Sequence, residues 1–240
     1  MLSRRLDPGA VIARALEIYR EHAGALIPAA LAVFSLQAIA TVALAGDLGV
    51  VVSLVSLVLG TFYQGMVVEL VRDVQDGRRD ASVGQLFASI TPVLLTLLAV
   101  ALLYGLGVAI GIALFLVPGL YLMTIWAVTG PVVVLERPGV VQAFRRSREL
   151  VHGHGWPVFV VVLVVVVGVN VVSAVAAILA AGLGDVGEAV VQWIVNAATA
   201  PLSALTAAVL YLALREQAGE PPVDAGARAE PAPDPFGNPA

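Results

Sequence analysis

The sequence predicts an all-α polytopic membrane protein with six transmembrane helices, arranged as three hairpins that are each preceded by a cytoplasmic interfacial amphipathic helix. Two observations carry this prediction. Hydrophobic residues make up 60 % of the chain and charged residues only 12 %, with a mean hydropathy of +0.96. Long uncharged segments also alternate with short arginine-bearing ones. Because about 20 apolar residues cross a bilayer core about 30 Å thick, lipid is expected to cover this surface.

The spans follow from the uncharged runs and the residues that interrupt them. The run from 81 to 135 is too long for one crossing, but Pro92 is placed to open a helix, and Pro118 with Gly119 is predicted to form a structural turn. Proline lacks an amide donor and glycine permits a tight reversal. The predicted spans are 23–46, 48–68, 92–116, 119–135, 156–182 and 189–214.

Three shorter segments show the spacing of amphipathic helices, near 8–22, 82–90 and 138–152. In the last of these, one helical face carries Val140, Ala143, Phe144, Ser147, Leu150 and Val151, and the other carries Gln142, Arg145, Arg146, Glu149 and His152. Each segment precedes a pair of spans, so we predict three repeated units of interfacial helix plus hairpin. Residues 1–215 then form the membrane domain, and the acidic, proline-rich residues 216–240 form a disordered cytoplasmic tail.

All thirteen basic residues are arginine, and each falls in a segment on the same side of the predicted spans. The positive-inside rule therefore predicts that both termini are cytoplasmic. Arginine stems can cover hydrocarbon while the guanidinium groups reach anionic headgroups. The candidate contacts to lipid headgroups or a partner protein are Arg14, Arg20, Arg78, Arg79, Arg145, Arg146, Arg148 and His152. Aromatic residues do not interleave with these arginines, so nucleic acid is not an expected partner.

Polar residues inside the spans are uncharged. Gln37, Asn170, Gln192 and Asn196 are the candidate intramembrane polar contacts, because a primary amide in hydrocarbon needs hydrogen-bond partners. We expect bonds to neighbouring helices, with a polar cavity as the alternative. Gly107 and Gly111 form a GxxxG pair that permits close helix packing. Pro28, Pro131 and Pro201 are candidate kinks in spans one, four and six.

Catalytic and metal sites find little support. The chain has no cysteine, and His152 and His154 would share a metal with His22 only in an extended segment. Glu69 and Glu136 end spans two and four, where an acid–base pair is one interpretation. Ion pairs with Arg72, with Arg137 or with interfacial arginines are the favoured one. No cofactor and no metal are expected.

The segment Phe115-Leu-Val-Pro-Gly-Leu-Tyr-Leu, followed by Trp126, Pro131, Glu136, Ala143-Phe-Arg-Arg-Ser-Arg-Glu-Leu and Gly153-His-Gly-Trp156, resembles a prokaryotic membrane family. This family is named for the glycerophosphoryl diester phosphodiesterase membrane domain, and related multi-span families of unknown function share the pattern. The resemblance implies a prokaryotic plasma-membrane protein. Some relatives join such a module to a catalytic barrel, which has no counterpart here, so no phosphodiesterase residue carries over.

Three functions stay open from the sequence. The leading one is a non-enzymatic accessory or scaffold bundle that contacts anionic lipid and a partner protein. The second is a small-solute or lipid transporter with an uncharged pathway near Asn170 and Asn196, which a cavity lined by those amides would favour. The third is a membrane-bound lipid-modifying enzyme, which converging His and Glu side chains would favour.

Overall fold

The computed structural model describes residues 6–43, 49–75 and 91–220. Within these ranges the protein is all-helical, as predicted. Arg78, Arg79, the predicted helix at 82–90 and residues 221–240 of the predicted tail lie outside them. We number the helices α1 (Pro8–Ala43), α2 (Gly49–Gln75), α3 (Leu94–Leu114), α4 (Leu116–Ile125), α5 (Thr129–Glu136), α6 (Val140–Val151), α7 (Gly155–Ala180) and α8 (Gly184–Gln217); a 3₁₀ turn, Thr91–Val93, precedes α3.

Among the described residues, five segments are long and apolar enough to cross a membrane: Leu54–Arg72, Leu94–Leu114, Leu116–Glu136, Gly155–Ala180 and Gly187–Gln217. A sixth is obtained when the two arms of α1, Pro8–Gly24 and Leu26–Ile39, are taken together. Five of the predicted spans thus coincide with a candidate crossing. The arrangement as three repeated hairpin units stays a prediction.

The first predicted interfacial helix and the first predicted span form one helix, α1, whose two arms meet at 77°. Pro28 lies four residues after Gly24, where the first arm ends, and a proline can neither bond to nor sit close to the carbonyl four residues before it. On the first arm, Val11, Ala15 and Ile18 are buried. The hydroxyl of Tyr19 donates to the carbonyl of Ala198 in α8 (3.2 Å), so this arm is docked on the bundle.

The long helix α8 lies at the centre of the structure. It forms the largest helix pair, with α1, and also packs on α2, α5, α6 and α7. In its most apolar window 56 % of the residues are buried, against 17 % in α3 and 11 % in α7. Helices α3 and α7 therefore present most of their apolar surface to the surroundings, as lipid-facing helices do. Helix α8 runs without a break through Pro201.

Helices α3 and α4 pack closely because glycine lies where they touch. A Cβ on Gly111 would come within 2.9 Å of the Gly119 Cα, and a Cβ on Gly107 within 2.6 Å of the Trp126 ring. The close approach expected of the GxxxG pair is therefore present.

The turn at Pro118 and Gly119 was placed three residues too late. The extended residue Phe115 (φ −160°, ψ 145°) separates α3 from α4. Pro118 lies in the first turn of α4, where a missing amide costs nothing, and Gly119 packs against Ile112.

Candidate functional site

A cavity of about 600 Å³ lies among the helices, and we call it the central cavity. Most of its wall comes from α2, α3 and α8 and from the break between α4 and α5. Single residues, Phe34 of α1 and Val169 of α7, complete it. Its described wall residues are Phe34, Ser56, Leu57, Gly60, Thr61, Tyr63, Gln64, Gly65, Val68, Leu97, Val100, Ala101, Tyr104, Trp126, Ala127, Thr129, Gly130, Pro131, Val134, Val169, Asn196, Thr199, Ala200, Ser203, Ala204 and Ala207.

The break beside the cavity interrupts a candidate span. Helix α4 ends at Ile125, and α5 begins at Thr129 after a three-residue turn. Pro131 is the third residue of α5, and without an N–H it cannot donate to the carbonyl of Ala127. A helix running on through 127 would lose that bond and bring the proline ring against this carbonyl. The kink expected at Pro131 is thus a break one turn before it.

Side chains donate to backbone carbonyls at the break. Ser147 of α6 donates its hydroxyl to the carbonyl of Ile125 (3.0 Å), and Thr129 donates to that of Trp126 (2.8 Å). Phe144, one turn from Ser147 on α6, meets the Trp126 ring edge to face at 4.8 Å. Non-helical backbone at membrane depth is tolerated where such contacts bury it or where it lines a cavity. Both conditions hold here.

No Asp, Glu, Arg or His belongs to the described wall of the central cavity. Hydroxyl and amide groups come instead from α2, α5 and α8, among them Thr61, Gln64, Thr129, Asn196 and Thr199. Aromatic rings of Phe34, Tyr63, Tyr104 and Trp126 add large apolar surfaces with polar edges. A wall of this kind suits an uncharged ligand, because a charged one would lose its hydration without gaining a counter-charge.

On one side the cavity is lined by α3, α7 and α8, of which α3 and α7 are joined through α4, a helix that packs on both. In the described part of the chain, α3 makes no extensive contact with α7 or with α8. Leu102, Leu103 and Leu106 of α3 are exposed, as is Val167 of α7. The central cavity is therefore bordered on this side by two helices that face the surroundings rather than each other.

A second polar site lies where α5 and α8 end beside the middle of α6, and we call it the Glu136 cluster: Glu136, Arg146, Tyr211, Arg215 and Glu220. The Arg146 Nε lies 3.1 Å and 3.0 Å from the two carboxylate oxygens of Glu136, and its Nη2 bonds to Glu220. The Tyr211 hydroxyl donates to Glu136 (2.8 Å) and accepts from Arg215 Nη1 (3.2 Å). Arg215 Nε donates to Glu220 (3.0 Å).

Two backbone turns assemble this cluster. Arg137 ends α5 in the left-handed conformation (φ 54°, ψ 39°), which reverses the chain and brings Arg146 back to Glu136. After α8, Gly219 has φ +70°; its N–H bonds to the Glu216 carbonyl (3.1 Å) and that of Glu220 to the Arg215 carbonyl (3.1 Å). This pair of bonds is the Schellman motif, which glycine favours. The tail predicted from residue 216 thus begins with the last turn of α8 and a docked carboxylate.

Electrostatics favour the charged forms of two members of the Glu136 cluster, Arg146 and Glu220. Burial alone would lower the pKa of Arg146, but hydrogen bonds to Glu220 and Glu136 outweigh it and raise that pKa above its ordinary value. Burial would likewise raise the pKa of Glu220, and the hydrogen bond and charge of Arg146, with those of Arg215, lower it instead. Glu136 pairs with the α6 arginine rather than with Arg137, while Glu69 lies 3.6 Å from Arg72.

The apolar face of α6 is covered by protein. Ala143, Ser147, Leu150 and Val151 are buried among α3, α4, α5 and α8. The predicted apolar face of α6 therefore packs against protein, because the break after α4 offers it partners, and the interfacial position of this helix stays a prediction. The other face is exposed: Arg145 is 75 % exposed beside Glu149 (3.4 Å), and Arg148 and His152 are also exposed.

Two further predicted contact residues within the described ranges, Arg14 and Arg20, lie on α1. Arg14 is exposed on α1 beside Glu17 (2.6 Å), and Arg20 is exposed one and a half turns further on. Arg146 differs from the other candidate arginines that the structure describes, since two carboxylates bind its guanidinium.

The four predicted amides do not act alike. Asn170 is exposed on α7 and donates to the carbonyl of Val166 in its own helix (2.8 Å). Gln192 donates to Asn196 (3.0 Å), again within one helix. In the described part of the chain, Asn170 and Asn196 therefore bond within their own helices rather than to neighbouring ones, and Asn196 lines the central cavity, which was the alternative expected for it. Gln37 is half-buried on the second arm of α1.

The histidines are dispersed among backbone contacts and surface positions. The Nδ1 of His22 lies 3.2 Å from the carbonyl of Ile18, one turn earlier in α1. Among the residues that the structure describes, no three His, Asp or Glu side chains gather as metal ligands would. The described residues therefore offer no centre for the proposed metal among His22, His152 and His154.

The apolar crossings and the all-helical fold make this chain a multi-pass integral membrane protein. It is similar to a UPF0259 membrane protein of Pectobacterium carotovorum subsp. carotovorum (strain PC1), with 33 % identity over 99 residues. The match covers 41 % of this chain and 39 % of that protein. Neither a family model nor a solved structure matches the chain, so membership of the glycerophosphoryl diester phosphodiesterase membrane domain family is not shown.

Proposed function

We propose that this protein is a non-enzymatic carrier that holds an uncharged molecule in the central cavity. The observation that carries the proposal is the cavity of about 600 Å³, bordered by a broken span and lined by hydroxyls, amides and aromatic rings. Ligand sites in membrane carriers are commonly built where a helix is interrupted between neighbouring helices. From the sequence, an accessory or scaffold bundle was the leading function and a transporter the second. The cavity favours the second function, because a closed bundle would have a solid core.

Labelling of single cysteines tests this function, since the chain has no cysteine of its own. Ser203→Cys places a thiol on the wall, and Arg145→Cys places one on the exposed face of α6. We expect a neutral maleimide to modify both positions. A charged methanethiosulfonate should react at position 203 at least about tenfold more slowly than at 145, because an unpaired charge is costly in an uncharged site.

A blocking substitution supplies the control. Ala200→Phe adds a ring on the cavity wall and should slow the neutral reagent at Ser203→Cys. Ala174→Phe, at an exposed position of α7, should leave the rate unchanged. Equal rates for charged and neutral reagents, or no effect of Ala200→Phe, would count against an uncharged binding cavity.

We also propose that the exposed arginines on α6 and on the first arm of α1 contact anionic headgroups or a partner protein. Arg145 and Arg148 favour this role because both are exposed on one helix. Each such attraction contributes about 1 kcal/mol near an anionic surface. The double substitution Arg145→Gln and Arg148→Gln should therefore lower phosphatidylglycerol retention in native mass spectrometry roughly tenfold, whereas Gln142→Ala should not.

The proposed orientation places both termini in the cytoplasm of a prokaryote. The Glu136 cluster supports it by joining arginines of α6 and α8 at one end of the molecule. In intact cells, a membrane-impermeant maleimide should label Leu116→Cys and not Arg145→Cys; the reverse pattern would invert the orientation. The likeness to the glycerophosphoryl diester phosphodiesterase membrane domain family stays a hypothesis of kinship, without that enzyme's chemistry.

A further inference from the structure

Several hydroxyl groups on the wall of the central cavity already use their O–H in a hydrogen bond to a backbone carbonyl. Thr129 donates to the Trp126 carbonyl (2.8 Å), Thr199 to that of Val195 (2.8 Å), and Tyr63 to that of Leu26 (3.2 Å). The Ser203 hydroxyl donates a long hydrogen bond to the Thr199 carbonyl (3.5 Å). A hydroxyl has one proton and two lone pairs, so these groups can still accept but have no second proton to give.

Other polar groups on the same wall can donate, among them the hydroxyls of Ser56, Thr61 and Tyr104 and the amide of Gln64. The Asn196 carbonyl oxygen accepts from Gln192 (3.0 Å), which leaves its amide N–H groups to donate. The indole N–H of Trp126 donates to no residue in the described part of the chain. The wall therefore offers acceptors at Thr129, Thr199 and Tyr63 together with several donors, and a ligand that both donates and accepts can satisfy both kinds of group.

We propose that the ligand is a neutral lipid with free hydroxyl groups, such as a monoacylglycerol; this inference rests on the proposed function. A hydroxyl both donates and accepts, so it can satisfy Thr129 and Thr199 as well as Asn196. An amine would arrive charged at neutral pH and find no carboxylate on the described wall. A hydrocarbon without hydroxyls would leave the wall acceptors unpaired, which is unfavourable away from water.

Size and access agree with a lipid. The cavity of about 600 Å³ equals the liquid volume of about twenty water molecules, enough for a small polar headgroup and part of an acyl chain. Helices α3 and α7 both line the cavity and are not in extensive contact with each other, so we place the exit for the rest of the acyl chain between them, beside α4, which packs on both. The ligand would thus enter sideways from the bilayer, headgroup toward the broken span and chain toward lipid.

Photocrosslinking in phosphatidylcholine nanodiscs tests the ligand class. Three probes carry the same diazirine chain: a monoacylglycerol, the matching fatty-acid methyl ester without hydroxyls, and a phosphatidylglycerol with hydroxyls and a negative charge. We expect the monoacylglycerol to label peptides of α2, α5 and α8 at least about fivefold more than either of the others. Ala200→Phe should abolish this labelling, and Ala174→Phe should preserve it.

A single hydroxyl sharpens the test. Thr199→Val keeps the shape of the side chain and removes one acceptor, so monoacylglycerol labelling should fall roughly three- to tenfold while methyl-ester labelling stays the same. A fall in both would indicate a change of packing rather than a lost hydrogen bond, and would overturn the assigned role of Thr199.

The outcomes separate this inference from the proposed function. Equal labelling by monoacylglycerol and methyl ester, both sensitive to Ala200→Phe, would overturn the hydroxyl-lipid inference and leave a cavity for uncharged molecules. Equal labelling by phosphatidylglycerol at the same peptides would overturn both, because it would place a charge in the site. Labelling by all three probes that Ala200→Phe does not affect would also overturn both.

Discussion

The Glu136 cluster and the central cavity are both rich in polar groups, but they use them differently. In the cluster, carboxylates, guanidinium groups and the Tyr211 hydroxyl bond to one another across three helices. In the cavity, Thr129 and Thr199 bond to backbone carbonyls nearby in the chain and keep lone pairs to spare. Polar groups that satisfy one another stabilise a structure, whereas polar groups with unused bonding capacity are available to a ligand.

The largest expected effect is on the cluster. Glu136→Ala removes the carboxylate that accepts from Arg146 and Tyr211, and leaves a guanidinium only 26 % exposed with one counter-charge fewer. We expect a loss of about 2–4 kcal/mol in the free energy of unfolding, between the values for hydrogen bonds to charged groups and for broken buried ion pairs. Denaturant titration of the purified protein in detergent measures it.

The exposed pair of Arg145 and Glu149 is the matched control for that substitution. Its side chains are 75 % and 55 % exposed, and its ion pair spans 3.4 Å within one helix. Glu149→Ala should cost no more than about 0.5 kcal/mol. If Glu136→Ala lowered the free energy of unfolding by no more than Glu149→Ala, the Glu136 cluster would not stabilise the fold. Its contrast with the central cavity would then be wrong.

The next effect concerns Glu220, which ties the end of α8 to α6. Its pKa is lowered by Arg146 and Arg215, so its contribution is complete above the ordinary pKa of a glutamate and is lost as the pH falls through the lowered value. Glu220→Gln should therefore lower the melting temperature at pH 7 by a few degrees, an effect of about 1 kcal/mol. The gap between variant and wild type should close in the acid range below that ordinary value.

A gap that persists unchanged at acid pH would show that Glu220 acts through packing and not through charge. Glu216→Gln is the control, because Glu216 is exposed in the last turn of α8. Its melting curves should follow those of the wild type at each pH.

The two regions were also unequally predictable from the sequence. Long apolar runs and Pro131 indicated the crossings and a weak point in the fourth, and Gly107 with Gly111 indicated close packing, because each effect depends on residues near in sequence. The Schellman glycine Gly219 was a readable signal for the end of α8. Glu220 was assigned to the tail because its structural role depends on the ion pair with Arg146, 74 positions away. The local composition around Glu220 does not predict that contact.

The central cavity shows the same limit more strongly. The sequence singled out Asn196 as an amide inside a span. The cavity wall around it is formed by α2, α3, α5 and α8. The spacing of residues within one helix does not predict the distances between four helices, so the cavity could not be predicted. The apolar face of α6 was found from its spacing, yet whether lipid or protein covers such a face depends on the break after Ile125. Patterns predict which residues turn inward, and tertiary packing decides what they meet.

The smallest expected effect completes the contrast. Ser203→Ala removes a cavity hydroxyl whose only bond among the described residues is the long one to the Thr199 carbonyl (3.5 Å). Because that carbonyl belongs to a continuous helix, we expect a change below about 0.5 kcal/mol in the free energy of unfolding. Neutral-lipid crosslinking by the same protein should nevertheless fall about threefold or more. A substitution that spares stability and weakens binding is what a ligand site requires, whereas a stability loss like that of Glu136→Ala would place Ser203 among the structural polar groups.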